Sequence, residues 1–93
     1  MLIELKKFGV TLTSRDGGRE ALAAFKPSLN SLDQNEEIVI SFDGVNTLSP
    51  SWADEFIIGL HKLFPTRLKL KSSNNFSVKV TLDFLGKIYQ IKF

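Results

Sequence analysis

The chain opens on a short apolar run, Leu2-Ile3-Glu4-Leu5, which reads as a first strand ending near Lys6-Lys7. Val10-Thr11-Leu12 reads as a second short extended piece. Thr13 or Ser14 then offers a cap for a helix, with Asp16 and Glu20 near its positive end. Leu22, Phe25, Leu29 and Leu32 follow at steps of three, four and three, the spacing of one helical stripe. Pro27 lies inside that stripe and is expected to kink or divide the helix, because it removes a hydrogen bond and crowds the preceding turn. Gly17-Gly18 is expected to loosen the first turn.

The clearest strand is Glu37-Ile38-Val39-Ile40-Ser41-Phe42, whose near-continuous apolar run suits a parallel strand covered on both faces. Asp43-Gly44 turns the chain. Ser49-Pro50-Ser51-Trp52-Ala53-Asp54-Glu55 then reads as a helix start. Proline suits the first helical position, Ser49 can cap before it, and Ser51 with Asp54 has the spacing of a capping box. Either serine fits as the cap. The helix should run to about Phe64 and stop at Pro65. At about 100° per residue, Trp52, Phe56, Leu60 and Leu63 form its inward face, while Asp54, Glu55, Ile58, His61 and Lys62 fall outside. Ile58, apolar among charges, is therefore a candidate contact anchor.

Arg67-Leu68-Lys69-Leu70-Lys71 alternates like a strand, and Ser72-Ser73-Asn74-Asn75 supplies turn and cap chemistry. The last segment fits two periods. Val78, Val80, Leu82 and Phe84 alternate as in a strand, whereas Phe76, Val80, Phe84 and Ile88 recur every four residues as in a helix. No repeat, linker or low-complexity tract interrupts residues 1–93, so one domain is expected.

Composition narrows the chemistry. An apolar share of 43 % with eight Phe is enough for one core. The absence of Cys excludes disulfides, a thiol nucleophile and a thiolate metal site. The N-terminal residues lack the zones of a signal peptide and no apolar run reaches a membrane span, so a reducing cytoplasm is the expected compartment. His61 is the single histidine, and neither a nucleophile nor an orienting acid is marked beside it. No Gly-rich phosphate loop is present. Asp43, Asp54 and Glu55 could gather round a divalent ion, but the helix dipole accounts for Asp54 and Glu55 more simply. No enzyme activity, metal or cofactor is expected. Charge is uneven: residues 1–60 carry five Lys/Arg against nine Asp/Glu, and residues 61–93 seven against Asp83 alone. That basic third admits nucleic-acid binding as the alternative function, although no aromatic stacking motif accompanies it.

The stretch from Ile38 to Phe56, with its buried strand, acidic-Gly turn and Ser-x-Ser-aromatic-Ala-Asp-Glu helix start, resembles the core of STAS-like domains. These are relatives of the anti-sigma-factor antagonists, and one bacterial subgroup of them has no assigned function. The resemblance implies a helix from about Asn75 to Ile88, and a small α/β domain with a mixed or parallel sheet of about four strands covered by two to three helices. In the antagonists an Asp-Ser-Ser-Gly motif follows the strand, and a kinase of the histidine-kinase-like ATPase fold phosphorylates its second serine. Aligned without gaps, those positions fall on Ser49, Pro50, Ser51 and Trp52, so only the modified serine is kept, as Ser51. The Trp-Ala-Asp-Glu continuation is similar to the subgroup without assigned function. What the resemblance implies is a non-enzymatic signalling module whose partner is a histidine-kinase-like ATPase or another signalling protein. The partner would meet Asp43, Asn46, Ser49, Ser51, Asp54, Glu55 and Ile58. A monomer or weak dimer is expected, because the edges of a small sheet invite pairing.

Overall fold

A computed structural model describes residues 1–93. In chain order it contains β1 (Leu2–Glu4), a 3-10 turn (Leu5–Phe8), β2 (Thr11–Leu12), α1 (Arg15–Phe25) and a second 3-10 turn (Lys26–Ser31). Then come β3 (Ile38–Ser41), β4 (Thr47–Leu48), α2 (50–63), β5 (Leu68–Leu70) and α3 (Phe76–Tyr89). The protein is thus an α/β domain with three helices. The main sheet is parallel in the order β1-β3-β5, and β2 and β4 form a second parallel pair. β4 has no counterpart among the elements expected from the sequence.

The helices follow their local chemistry. Ser14 caps α1, accepting from the Gly17 amide at 2.9 Å. Pro27 divides the expected long helix: the α-turns end at Phe25 and a 3-10 turn continues with the proline in its first positions. Asn75 caps α3 by accepting from the Val78 amide at 3.1 Å, and its side-chain N–H₂ also donates to the Val45 and Asn46 carbonyls. One residue therefore starts a helix and pins it to the turn after β3.

Ile3, Ile38 and Ile40 point into the core, and their strand neighbours alternate to the other side. The outer side of the sheet shows exposed Leu2, Glu4 and Lys69, with Val39 half-buried. β3 is therefore covered less fully on its Val39 side than its apolar run suggested, although Ser41 at the strand end is buried there. Phe8, Phe25, Trp52 and Phe56 form an aromatic cluster that ties the first 3-10 turn, α1 and α2 together. In it the Trp52 and Phe56 rings stack with centroids 5.0 Å apart.

α2 departs from ideal geometry. Pro50–Ala53 is α-helical, Asp54–Ile58 forms a π turn, and Gly59–Leu63 returns to α. A π turn rotates the chain less per residue, so faces assigned at a uniform 100° drift already within it. The helix is also flanked by α1 along the π turn and by α3 at its start. Ile58 is consequently 1 % exposed, a core residue beside Phe56 and Ile57, and the reading of it as a surface anchor is wrong. Leu63, expected inside, is instead 51 % exposed.

Candidate functional site

β3 delivers the chain to the turn of Asp43 and Gly44, where Gly44 takes a φ of +82°, a conformation that suits glycine. The Asp43 amide donates to Ser41 Oγ at 3.3 Å, which leaves the Asp43 carboxylate outside. Asn46 is also exposed, while Val45 between them is buried. β4 then carries the chain to the first turn of α2.

The cap of α2 belongs to Ser49. Its Oγ accepts from the Trp52 amide at 3.3 Å and donates to the Thr13 carbonyl at 2.7 Å, joining α2 to the segment before α1. Ser51, one residue inside the helix and half-buried, is not needed for the cap. It lines a cleft of about 180 Å³ with Arg15, Asp54, Phe84, Ile88 and Tyr89. Trp52 and Ala53, next in sequence, turn inward and are buried.

Asp54 and Glu55 do not form a free outward face. Arg15 Nη1 donates to Asp54 at 2.9 Å and stands 3.6 Å from Glu55; Arg19 Nε reaches Glu55 at 3.1 Å and its Nη1 reaches Asp16 at 2.9 Å. From the other side Tyr89 donates its hydroxyl to Asp54. Partial burial pushes the Asp54 carboxyl up, but hydrogen bonds from Tyr89 and Arg15 and the arginine charge outweigh it and hold it below the ordinary carboxylate range. The same bond to Asp54 raises the Tyr89 hydroxyl, which would otherwise leave a phenolate against a carboxylate. Asp54 thus ties α1, α2 and α3 at one point.

The structure therefore gathers Ser49, Ser51, Asp54 and Glu55 on the first turns of α2, with Asp43 and Asn46 exposed on the preceding turn. Ile58 is removed from the set by burial. No three His, Cys, Asp or Glu side chains approach closely enough to hold a metal ion. Two contributors were missed from the sequence, Arg15 and Tyr89. Arg15 and Arg19 at i and i+4, matched by the adjacent acids Asp54 and Glu55, were the available signal for the first. The basic third resolves differently: Lys71, Lys79, Lys87 and Lys92 line a separate cleft of about 720 Å³ between β5, α3 and the last residues. No helix is long and apolar enough to cross a membrane.

A parallel sheet that feeds a turn into the capped start of a core helix defines a small STAS-like α/β domain. The comparison with known families agrees. A family model described as a STAS-like domain of unknown function matches residues 25–78, more than half of the chain, and the protein belongs to that family. No curated protein and no solved structure matches it.

Proposed function

We propose that the domain is a non-enzymatic interaction module of the cytoplasm, which binds a signalling protein through the turn and helix start spanning Asp43 to Glu55. The observation that supports this most is the division of labour between the two serines. Ser49 holds the cap and the tie to Thr13, so Ser51 is free to serve a partner without loss of the helix. Ser51 and Arg15 line the same cleft, at a helix N-terminus whose amide dipole favours negative charge. A phosphate on Ser51 would find Arg15 in the same cleft and would compete with Asp54 for it, loosening the point where the three helices meet. By the family resemblance, the enzyme adding it is a histidine-kinase-like ATPase.

The test is phosphate mapping by mass spectrometry after incubation with ATP and a histidine-kinase-like ATPase encoded beside the protein. A single phosphate on Ser51, kept in Ser49→Ala and lost in Ser51→Ala, supports the reading. Phosphate on another residue removes Ser51 from it.

The lysine-lined cleft favours a second reading, an anionic partner such as nucleic acid held against α3. Binding of that kind falls steeply with salt, because each neutralised phosphate releases counterions. Binding to a nucleic acid that does not weaken between low and physiological salt would exclude it.

A further inference from the structure

The side of α3 turned away from the core carries an apolar row. Phe76 is 80 % exposed, Val80 48 %, Phe84 50 % and Ile88 55 %. Steps of four residues set these side chains in a single ridge along the helix. Taking a whole phenylalanine side chain at about 200 Å², the row leaves on the order of 400 Å² of apolar surface in water. That is the size of the largest patch a monomer normally shows, and such patches mark contact sites.

We propose that this row is the interface through which two copies of the chain pair, α3 against α3, about a two-fold axis. Ridges of four-residue step interlock with one another at about −50°, the commonest helix-packing class, so two identical ridges fit without any change of side chains. An axis level with Thr81 sets Val80 of one copy between Val80 and Phe84 of the other, an isologous contact in which the two ridges interlock.

Charges of both signs flank the row. Lys79, Asp83 and Lys87 form a second row of four-residue step on the exposed flank, and Asp83 lies 3.3 Å from Lys87 within the chain. Read in reverse by a two-fold axis, Asp83 meets Lys79 of the other copy, and the same pair forms again on the far side. A flank of one sign would repel itself; this one is self-complementary. With its flanks the pairing buries about 1,000 Å² in total, at the lower edge of specific interfaces, so the dimer is weak and reversible. Phe84 and Ile88 also wall the Ser51 cleft, which places the second copy over one side of it. The pairing itself stands independently of any partner at Ser51.

Sedimentation equilibrium of the full chain across the micromolar range tests this. The expected result is a reversible monomer–dimer equilibrium. Val80→Glu and Phe84→Glu, both at exposed positions and checked for an unchanged circular dichroism spectrum, should raise the dissociation constant at least about tenfold. Lys79→Glu should weaken pairing, and Lys79→Glu combined with Asp83→Lys should restore it. A monomer at every concentration would overturn the proposal and leave the row to a different protein. A dimer indifferent to Val80→Glu and Phe84→Glu would overturn it too, moving the contact to another surface such as the edge of β1 or β5. A double charge variant no better than Lys79→Glu would refute the two-fold arrangement.

Discussion

Gly18 is where the placement of the α2 start is most exposed to a single substitution. A Cβ built on it lies 2.5 Å from the Trp52 carbonyl oxygen and 3.1 Å from the Trp52 Cα and carbonyl carbon. The obstacle is backbone, in a helix already fixed by the Ser49 cap and by the buried Trp52 ring, so it cannot rotate aside. Gly18→Ala must move α1 off α2 by most of an ångström. Overpacking of this kind costs about 1–3 kcal/mol, and a backbone wall puts it in the upper half. The gain in helix propensity offsets about 1 kcal/mol. The net loss is about 1–2 kcal/mol, or roughly 4–15 °C in Tm for a domain of this size. Gly59 supplies the control, since its added Cβ meets only the far end of the Leu22 side chain, at 2.6 Å. Leu22 is half-buried and can turn, so Gly59→Ala should be near neutral or stabilising. Thermal unfolding of the two variants beside the wild type is the assay. Gly18→Ala at or above wild-type stability, or Gly59→Ala the worse of the two, would refute the close approach of α1 to α2.

Three further outcomes follow from the same contacts. Ser49→Ala should cost about 0.5–2 kcal/mol as a lost cap, whereas Ser51→Ala should stay within about 0.5 kcal/mol of wild type; equal losses in urea unfolding would contradict the cap assignment. Thr81 is 2 % exposed and donates to the Leu48 carbonyl at 2.7 Å, so Thr81→Val should lose about 1–3 kcal/mol by stranding that oxygen; an unchanged denaturation midpoint would deny the bond. Tyr89→Phe should lower stability by a constant amount near neutral pH. Because the folded-state carboxyl of Asp54 lies below its ordinary value, the gap should be full above about pH 4 and close as pH falls through that lower value. It should also close at strongly alkaline pH, where the raised hydroxyl of Tyr89 at last ionises. A gap that persists into acid would separate Tyr89 from Asp54.

The strand Ile38–Ser41, the division of the first helix at Pro27 and the helix start at Pro50 were legible because each rests on local chemistry: an apolar run, a missing N–H, a cap. The rest depends on packing that no window of sequence contains. Ile58 closes a π turn that slows rotation, and its burial reflects the packing of α1 along that turn. In α3 the four-residue recurrence identifies the helix correctly, yet that recurrence lies on the wet side. The buried residues are Val78, Thr81 and Leu85, and the polar Thr81 belongs inside only because β4 offers it a carbonyl. β4 itself, two residues long, is defined by its pairing with β2 rather than by its own side chains. At the site, Ser51 was found by family resemblance and Arg15 was overlooked, because an arginine at a helix N-terminus makes sense only once the carboxylates of another helix stand before it.

Amide chemical-shift mapping on the full chain, titrated with the protein that copurifies with it, would reach the proposed contact surface most directly. Perturbations should concentrate at Asp43, Asn46, Ser51, Asp54 and Glu55, while β1 and the β5 strand stay still. Shifts confined to the lysines from Lys69 to Lys92, with the start of α2 unmoved, would contradict that surface.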